Sequence, residues 1–492
     1  MLINAAVLMP LIIVVTTLLA EWGIQKKTVP YLFSKKVRQL IIGITFALSP
    51  IFFKDFWMLE LIVAIFTVLA FIAVAFNWMA LNDKGEKSWS LFFLSISFLT
   101  LLLFFGKHPS HYWLIIYPML VVALGDSLSA IIGHFSDKTF KITTDKKTFI
   151  GSFIFFVITW ISITYLPWWL YNAHAYFRLA PIMYFEWRNW LLYALGLAFI
   201  LTLLEAICSN GLGNLLLPIA AALIMFVTFK LGDLHPSELL GTIFLATIVA
   251  VVSYFKRALT LNGAVTAWFM GIVLLWMGGW EWVWPMMVFF ITGTVFTKIN
   301  EKFGRKTDEK DDRARDYYQV LANGGIGMLC CILYAVTVNQ FWYFIYIFSM
   351  SVSMADTWSS EIGMMSGGKV VDFFSRKPVP MGVSGGVTNE GFAGGFAGAM
   401  IIGWIGFASR HFSITLFGIT LLAGILGTVL DSILGSKLQI KYCLDESNVV
   451  SDFIPPDTKG SYFSGKRWVT NDMVNFLSNL IITLICFWMM FW

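Results

Sequence analysis

The chain has 492 residues, of which 58% are hydrophobic and only 13% are charged, and its mean hydropathy is +0.76. Soluble proteins carry about 25% charged residues, so this composition excludes a soluble globular protein and indicates one embedded in a lipid bilayer. The formal charge of +5 indicates basic loops beside anionic lipid head groups and no nucleic-acid partner.

Apolar stretches close to the ~20 residues that cross a bilayer recur from one end of the chain to the other. They predict an all-α, polytopic integral membrane protein with about 14 to 16 transmembrane helices. Lysine- and arginine-rich connections, such as His134 to Lys147 and Gly367 to Lys377, alternate with weakly charged ones. The basic loops are therefore expected on the cytoplasmic side of the cytoplasmic membrane. We divide the chain into two fused helical modules, residues 1–240 and residues 241–492.

One short polar phrase occurs in each module. Residues 125–133 read GDSLSAIIG and residues 355–363 read ADTWSSEIG. In each copy the aspartate, Asp126 or Asp356, shares a helix face with a serine three residues later and a glycine seven residues later. A carboxylate beside hydroxyl groups, with an open glycine position, suits Mg²⁺ together with a phosphate. Two interpretations stay open: a duplicated chemical module, or chance similarity between small-residue faces that pack helices.

Lysines and a threonine lead from the first phrase into the next apolar stretch. Lys147 and Thr148 stand at the predicted helix start, where unpaired backbone N–H groups and the helix dipole favour a phosphate. Ordinary anchoring of lysines at the cytoplasmic face is the alternative. The candidate phosphate-binding residues of this segment are Lys138, Lys141, Lys147, Thr148, Gly151 and Ser152. Further along, Glu205 and Asn214 flank a glycine turn, and pairing of Glu205 within the helix bundle is the structural alternative.

The second module contains a glycine-rich loop, residues 377–391, which reads KPVPMGVSGGVTNEG and leads into an apolar stretch. Glycines allow backbone N–H groups to curve around an anion, and serine and threonine add hydroxyl groups. A flexible turn explains one or two of these glycines but not the whole SGGVT run. The candidate phosphate-binding residues of this loop are Lys377, Gly382, Ser384, Gly385, Gly386 and Thr388.

Further polar residues interrupt or begin apolar stretches in the second module. These residues are Gln319, Asn323, Glu361, Asp431, Asn471, Asp472 and Asn475. Glu361, five residues after Asp356, points about 140° away from it on an ideal helix, so the two share a site only if the helix breaks. Asp472 is either a metal ligand or the N-terminal cap of the last helix.

The segment from Gly125 to Ser152 resembles the signature of the polyprenol kinase family, which includes dolichol kinase and phytol kinase. Members of that family use CTP to phosphorylate a long-chain isoprenoid alcohol. Glu205 through Pro218 resembles a later block of the phytol kinase branch. That block usually reads Asp-Asn where this chain has Gly213-Asn214, so one possible metal ligand is absent.

The second module resembles the family that contains phytyl-phosphate kinase, over residues 250–480. The stretch from Lys369 to Arg376, just before the glycine loop, departs from the family pattern. The resemblance rests on five blocks: Arg315 through Gly325, Ala355 to Gly363, Gly382 to Gly391, Asp431 to Gly435, and Trp468 to Ser478.

Together the two resemblances imply a bifunctional salvage enzyme. The first module would convert a prenol such as phytol, farnesol or geranylgeraniol to its monophosphate with CTP, and the second would convert the monophosphate to the diphosphate. Phosphoryl transfer needs mainly positioning and charge neutralisation, so lysines and glycine loops would hold phosphates while carboxylates hold Mg²⁺. The implied catalytic residues are Asp126, Lys147, Asp356 and Glu361, and the implied metal ligands are Asp126, Asp356, Asp431 and Asp472.

Two other functions remain open at this point. Internal repeats with glycine-interrupted helices also occur in transporters, whose sites lie near the bilayer midplane, whereas the polar phrases here stand beside basic loops. A cytidylyltransferase acting on a lipid phosphate would share CTP and Mg²⁺ with a kinase but would release pyrophosphate. The products of a reaction with CTP and a prenol separate the three possibilities.

Overall fold

The computed structural model confirms the all-α membrane fold. It describes residues 5–26, 28–53, 55–76, 78, 87–143, 145–173, 186–230, 236–303, 314–409, 412–444, 450–452, 454 and 459–490. These residues form sixteen α-helices, and thirteen helical segments are long and apolar enough to cross a membrane. The predicted range of spans is slightly higher because three further apolar helices are too short or too polar to meet that criterion.

The chain divides into two compact units, Met1–Ile243 and Phe244–Trp492. The helices of the first unit are α1 Ala5–Gln25, α2 Tyr31–Phe52, α3 Phe56–Ala75, α4 Ser90–Phe105, α5 Trp113–Gly133, α6 Phe149–Ala173, α7 Trp187–Ile207 and α8 Gly213–Lys230. A two-stranded antiparallel hairpin, β1 Thr139–Lys141 and β2 Lys146–Thr148, joins α5 to α6. The boundary between the units falls within α9, Pro236–Phe255.

The second unit contains the remaining helices and five short strands. Its helices are α10 Leu261–Ile272, α11 Trp280–Lys302, α12 Tyr317–Thr337, α13 Phe341–Ser366, α14 Asn389–Ala408, α15 Ile414–Lys437 and α16 Asn471–Met489, with a π-helical turn Val273–Gly278 after α10. Strands β3 Val371–Asp372 and β4 Gly386–Val387 pair between α13 and α14. Strands β5 Lys441–Leu444, β6 Val450–Ser451 and β7 Gly460–Ser464 form a small antiparallel sheet before α16.

The helices α2, α4 and α13 are the three that do not qualify as membrane spans. Helix α4 has 16 residues, which is short of the ~20 needed to cross a bilayer. Helices α2 and α13 are long enough, but lysines, an arginine and a glutamine interrupt α2, and Asp356 and Glu361 interrupt α13. Helices α2 and α13 therefore carry some of the polar side chains described below, and the others lie on helices that qualify as spans.

The repeated phrase adopts the same local structure in both units. In each unit the phrase lies near the C-terminal end of a helix. A β-hairpin follows, and the next helix packs back against the first. A Cβ atom added to Gly133 would lie 2.6 Å from Thr148 Oγ1 and 3.0 Å from Gly151 Cα. A Cβ added to Gly363 would lie 3.0 Å from the hydroxyl oxygen of Thr388 and 3.6 Å from the next helix's glycine, Gly391. Each glycine of the phrase thus allows close approach of a threonine-capped helix start.

Candidate functional site

A cavity of about 230 Å³ lies in the second unit. Its walls come from α12, α13, α15, α16, the loop that precedes α14, and Asp452 after β6. The structure brings ten of the predicted residues to this cavity: Gln319, Asp356, Gly382, Ser384, Gly385, Gly386, Thr388, Asp431, Asn471 and Asn475. Segments that are far apart in the sequence therefore converge on one polar cavity.

Close helix packing places two carboxylates opposite each other in this cavity. A Cβ atom on Gly427 of α15 would lie 2.6 Å from a methyl group of Val352 on α13. One turn further along each helix, the side chains of Asp356 and Asp431 lie within hydrogen-bonding reach of each other. Two carboxylates at this distance repel each other unless a proton or a cation is shared between them.

Residues of α16 fix the orientation of Asp431. Ser478 donates a hydrogen bond to Asp431 Oδ1 at 3.3 Å. With its amide nitrogen turned toward them, Asn475 donates to Asp431 Oδ1 and to the backbone carbonyl of Asn471, both at 3.1 Å. The Asp431 carboxylate is therefore held by two donors on one neighbouring helix.

The carboxylate pair fits a small divalent cation. Among the described residues, no lysine or arginine forms an ion pair with Asp356 or Asp431. Within the part of the chain that the structure describes, no group of three or more His, Cys, Asp or Glu side chains is arranged to hold a metal ion. Mg²⁺ usually takes only one or two carboxylates and completes its shell with waters and substrate phosphates, so the pair Asp356 and Asp431 suits it. Asp472 lies in the first turn of α16 and does not line the cavity.

The glycine loop is held in place by the segment that follows α15. Gly382 and Gly385 have φ values of 86° and 85°, a conformation that favours glycine. Ser384 donates to Asp452 Oδ2 from its backbone nitrogen at 3.1 Å and from its hydroxyl group at 2.5 Å. Lys441 donates to the backbone carbonyl of Ser384 at 2.9 Å. The Ser384 hydroxyl, predicted to bind phosphate, thus donates to a carboxylate.

Asp372 anchors the turn that precedes the glycine loop. Its side chain accepts hydrogen bonds from Ser436 Oγ at 2.6 Å and from the backbone nitrogen of Ser375 at 2.8 Å. Burial alone would raise the pKa of Asp372, but these donors outweigh it and lower the pKa to about 2. The carboxylate is therefore ionised at neutral pH and ties the β3 turn to the end of α15.

Besides Asp472, three predicted residues of the second unit lie outside the cavity. Glu361 accepts hydrogen bonds from Thr297 Oγ1 at 2.5 Å and from Asn300 Nδ2 at 2.7 Å, on the side of α11. Helix α13 is unbroken from Phe341 to Ser366, so Glu361 points away from Asp356 as helix geometry requires. Asn323 donates to the backbone of α12, and Lys377 is exposed.

In the first unit, Asp126 already has a cationic partner within the chain. Lys36 Nζ and Gln39 Nε2 of α2 each lie 2.6 Å from Asp126 Oδ2. Gln39 Nε2 also lies 2.6 Å from Asn214 Oδ1, and Asn214 donates to Ser90. Close packing of α2 against α5 permits this network. A Cβ on Gly43 would lie 2.7 Å from the Cβ of Ala123, and these two residues lie one helical turn from Gln39 and from Asp126.

Lys147 and Glu205 form a second ion pair in the first unit. Burial alone would lower the pKa of Lys147, but the carboxylate of Glu205 and, less strongly, that of Asp126 leave it raised. Lys147 therefore stays charged. Its ion pair with Glu205 joins two of the predicted residues and agrees with the structural alternative for Glu205, pairing within the helix bundle. Lys138 and Lys141 are exposed on the hairpin.

Thr148, predicted to bind phosphate, caps the start of α6. Thr148 Oγ1 accepts a hydrogen bond from the backbone nitrogen of Gly151 at 3.1 Å. The Ser152 hydroxyl is buried without a hydrogen-bond partner among the described residues. In the second unit Thr388 accepts in the same way from Gly391, at 3.0 Å. Both helix starts thus use a threonine hydroxyl to satisfy one backbone N–H group.

Sequence reasoning missed several residues of both clusters. Lys36 and Gln39 lie three residues apart in the polar first half of α2, and this spacing is the available signal. Asp452 lies in the long polar segment between α15 and α16, where nothing in the local sequence separates it from solvent-exposed residues. Its Oδ1 atom is buried without a hydrogen-bond partner in the part of the chain that the structure describes.

Comparison with protein-family models gives one match, residues 244–483, to a family described as integral membrane protein DUF92. The match begins at the first residue of the second unit. An uncharacterised membrane protein of Methanocaldococcus jannaschii is 31% identical over 215 residues, which cover 43% of this chain and 88% of that protein. The chain belongs to the DUF92 family of integral membrane proteins.

Two plant proteins are also similar to this DUF92 chain. Protein PGR of Arabidopsis thaliana is 27% identical over 274 residues, which cover 50% of this chain and 93% of PGR. The chloroplastic protein VTE6 of the same plant is 23% identical over 197 residues, which cover 39% of this chain and 53% of VTE6. No solved structure matches the chain. The residues that line the second-unit cavity all lie within residues 244–483, the region that matches the DUF92 family.

Proposed function

We propose that this DUF92 protein is a bifunctional isoprenoid-alcohol salvage kinase. Its first unit would transfer a phosphate from CTP to the hydroxyl group of a prenol such as phytol, farnesol or geranylgeraniol. Its second unit would add a phosphate from a nucleoside triphosphate to the resulting monophosphate. The observation that carries the proposal is the second-unit cavity, where the facing carboxylates of Asp356 and Asp431, a glycine loop and two helix N-termini meet.

The size of the cavity suits a head group rather than a whole lipid. Its volume is about 230 Å³, whereas pockets that enclose whole small molecules usually measure about 300–1,000 Å³. A prenyl monophosphate would place its phosphate in the cavity while its apolar tail stays among the helices or in the lipid. A water-insoluble substrate can then react with a water-soluble nucleotide at the end of the bundle.

The chemistry required of the second unit is mainly positioning and charge neutralisation. Mg²⁺ held by Asp356 and Asp431 would supply positive charge beside the phosphates. Backbone N–H groups of the glycine loop and of the helix starts at Thr388 and Asn471 would donate to phosphate oxygens. Asn475 and Ser478 orient Asp431, and the five blocks that resemble the phytyl-phosphate kinase family include all of these residues.

In the first unit, lysines would make the phosphate contacts. Lys147 stands at the start of α6, where the helix dipole favours an anion. Glu205 and Asp126 interact with its ammonium group and keep it charged. The resemblance of residues 125–152 to the polyprenol kinase signature supports CTP as the donor.

We place the protein in the cytoplasmic membrane with both sites facing the cytoplasm. The basic hairpin between α5 and α6 and the basic turn between α13 and α14 lie at the ends of the helices that carry Asp126 and Asp356. Basic loops are retained on the cytoplasmic side, where nucleotides are available. The same orientation would serve both phosphorylation steps.

The test uses the purified full chain in lipid nanodiscs with Mg²⁺ and CTP that carries a label on either the α- or the γ-phosphate. Phytol, farnesol or geranylgeraniol is added, and the lipids are extracted and separated. We expect γ-labelled monophosphate followed by diphosphate. In a second reaction, synthetic prenyl monophosphate is supplied so that the second step is measured alone, with several nucleotides.

Other products reject the proposal in distinct ways. An α-labelled CDP-lipid with release of pyrophosphate identifies a cytidylyltransferase. Absence of labelled lipid, together with uptake of an anionic solute into proteoliposomes, identifies a transporter. Two variants separate the steps. D126N should stop only the first step, and D356N should stop only the second. Formation of the diphosphate is followed in both.

A further inference from the structure

The two units place an aspartate at the same point of the same local structure but surround it with different charges. Seven residues after Asp126, and again seven residues after Asp356, a glycine contacts a threonine-capped helix start. The helix–hairpin–helix geometry therefore fixes an equivalent position for the two carboxylates. Their partners can be compared directly.

At Asp126 the chain itself supplies the positive charge. Lys36 Nζ lies 2.6 Å from Asp126 Oδ2, and the two side chains are 11% and 15% exposed. Gln39 donates to the same oxygen at 2.6 Å. A dication beside this carboxylate would meet the Lys36 ammonium at close range in a largely desolvated setting, where like charges repel strongly. The residues around Asp126 therefore do not fit Mg²⁺, contrary to the sequence-based prediction.

At Asp356 the corresponding partner is another carboxylate. Asp431 faces it across the contact of α13 and α15, and no lysine or arginine of the described segments forms an ion pair with either residue. The polar donors of Asn475 and Ser478 reach Asp431 but bring no net charge. The repulsion within this pair is relieved only by a shared proton or by a cation from outside the chain.

We infer that the two sites differ in their cation: the Lys36 ammonium permanently occupies the cationic role at Asp126, and a divalent ion is bound only at Asp356 and Asp431. This inference deepens the proposed function, on which it rests for the choice of Mg²⁺ as the resident ion. The first unit then binds the phosphates of its nucleotide through lysines, and any Mg²⁺ there arrives with the nucleotide.

The experiment counts bound Mn²⁺, used as a spectroscopic substitute for Mg²⁺. The purified full chain in nanodiscs, without nucleotide or lipid substrate, is titrated with Mn²⁺ while free Mn²⁺ is followed by electron paramagnetic resonance. We expect one tightly bound Mn²⁺ per chain. The variants D356N and D431N should lose it, and D126N, the same substitution at the equivalent position of the first unit, should keep it.

Each variant is first shown to be folded by its elution as a single species and by its thermal melting curve. Two Mn²⁺ ions per wild-type chain with one lost in D126N, loss of the single ion in D126N, or no tight Mn²⁺ at all would each overturn the inference. The count needs no turnover. A chain that phosphorylates no prenol but shows the expected pattern refutes the kinase proposal alone, and a kinase that binds Mn²⁺ at Asp126 refutes this inference alone.

Discussion

The carboxyl groups of Asp356 and Asp431 meet across the contact between α13 and α15, within hydrogen-bonding reach of each other. Glu361 belongs to the same helix as Asp356 but binds Thr297 and Asn300 on its opposite side. Acidic residues of one helix are thus divided between a cavity and a structural network. This division allows substitutions that separate the proposed catalysis from stability.

The first prediction concerns these carboxylates. D356N and D431N should each lower the rate of prenyl monophosphate phosphorylation by about 10²- to 10³-fold, the range seen when one charge-stabilising group is removed. E361Q should leave that rate within a few-fold of wild type and should lower the melting temperature instead. Steady-state kinetics with synthetic prenyl monophosphate and thermal melting of each variant provide the comparison. A rate loss in E361Q as large as that in D356N would indicate that Glu361 is needed for the reaction, as the sequence predicted.

The second prediction concerns the glycine of α14 that contacts the repeated phrase. A Cβ atom on Gly391 would lie 2.8 Å from the backbone carbonyl oxygen of Ser359, so G391A should destabilise the fold by about 1–3 kcal/mol through overpacking. Gly418 of α15 has no atom within 4 Å of such a Cβ, and G418A should be neutral or stabilising by up to about 1 kcal/mol. Denaturation in detergent micelles measures both. Equal effects of the two substitutions would show that the contact is not close.

The third prediction tests the ion pair between Lys36 and Asp126. K36M leaves the buried Asp126 carboxylate without its counter-charge and should cost about 3–5 kcal/mol, the range for breaking a buried pair. Because K36M/D126N removes both charges, the double variant should recover a large part of that loss. A double-mutant cycle by denaturation gives the coupling, with exposed Lys138 replaced by methionine as the control. Additive effects of K36M and D126N would exclude the interaction.

The fourth prediction concerns acid sensitivity. The pKa of Asp372 is lowered to about 2 in the folded protein, below the usual value of about 3.9 for aspartate. The folded state therefore binds fewer protons than the unfolded state in this window, and stability falls as the pH drops from about 4 toward 2. The variant D372N should be less stable at neutral pH and should lose less stability over the same acid range. Parallel pH dependence of wild type and D372N in melting experiments would assign the effect to other groups.

Much of the fold and part of the site follow from local sequence alone. Apolar length predicts the helices, and the repeated phrase predicts which face of α5 and of α13 carries an aspartate beside a glycine. The glycine loop is also recognisable, because its composition reflects the positive φ angles at Gly382 and Gly385. These features depend on residues that are neighbours in the chain.

The partners of those residues could not be predicted in the same way. Lys36 reaches Asp126 across 90 positions of the chain, and Ser384 reaches Asp452 across 68. Such pairings depend on which helices pack together and how closely, and a single sequence carries no record of that. The sequence therefore draws attention to the acidic groups but leaves open whether each faces a lysine, a serine or another acid.

The composition of the second-unit cavity has a consequence for how the protein is made. Asp356 is synthesised 119 positions before Asn475, and the loop that covers the cavity is fixed by Asp452 and Lys441, which also come later. During membrane insertion, helices α13 and α14 can enter the bilayer together, but the pocket is assembled only when α16 has arrived. Nascent chains that stop between α15 and α16 would accordingly carry paired acids without the donors that orient them.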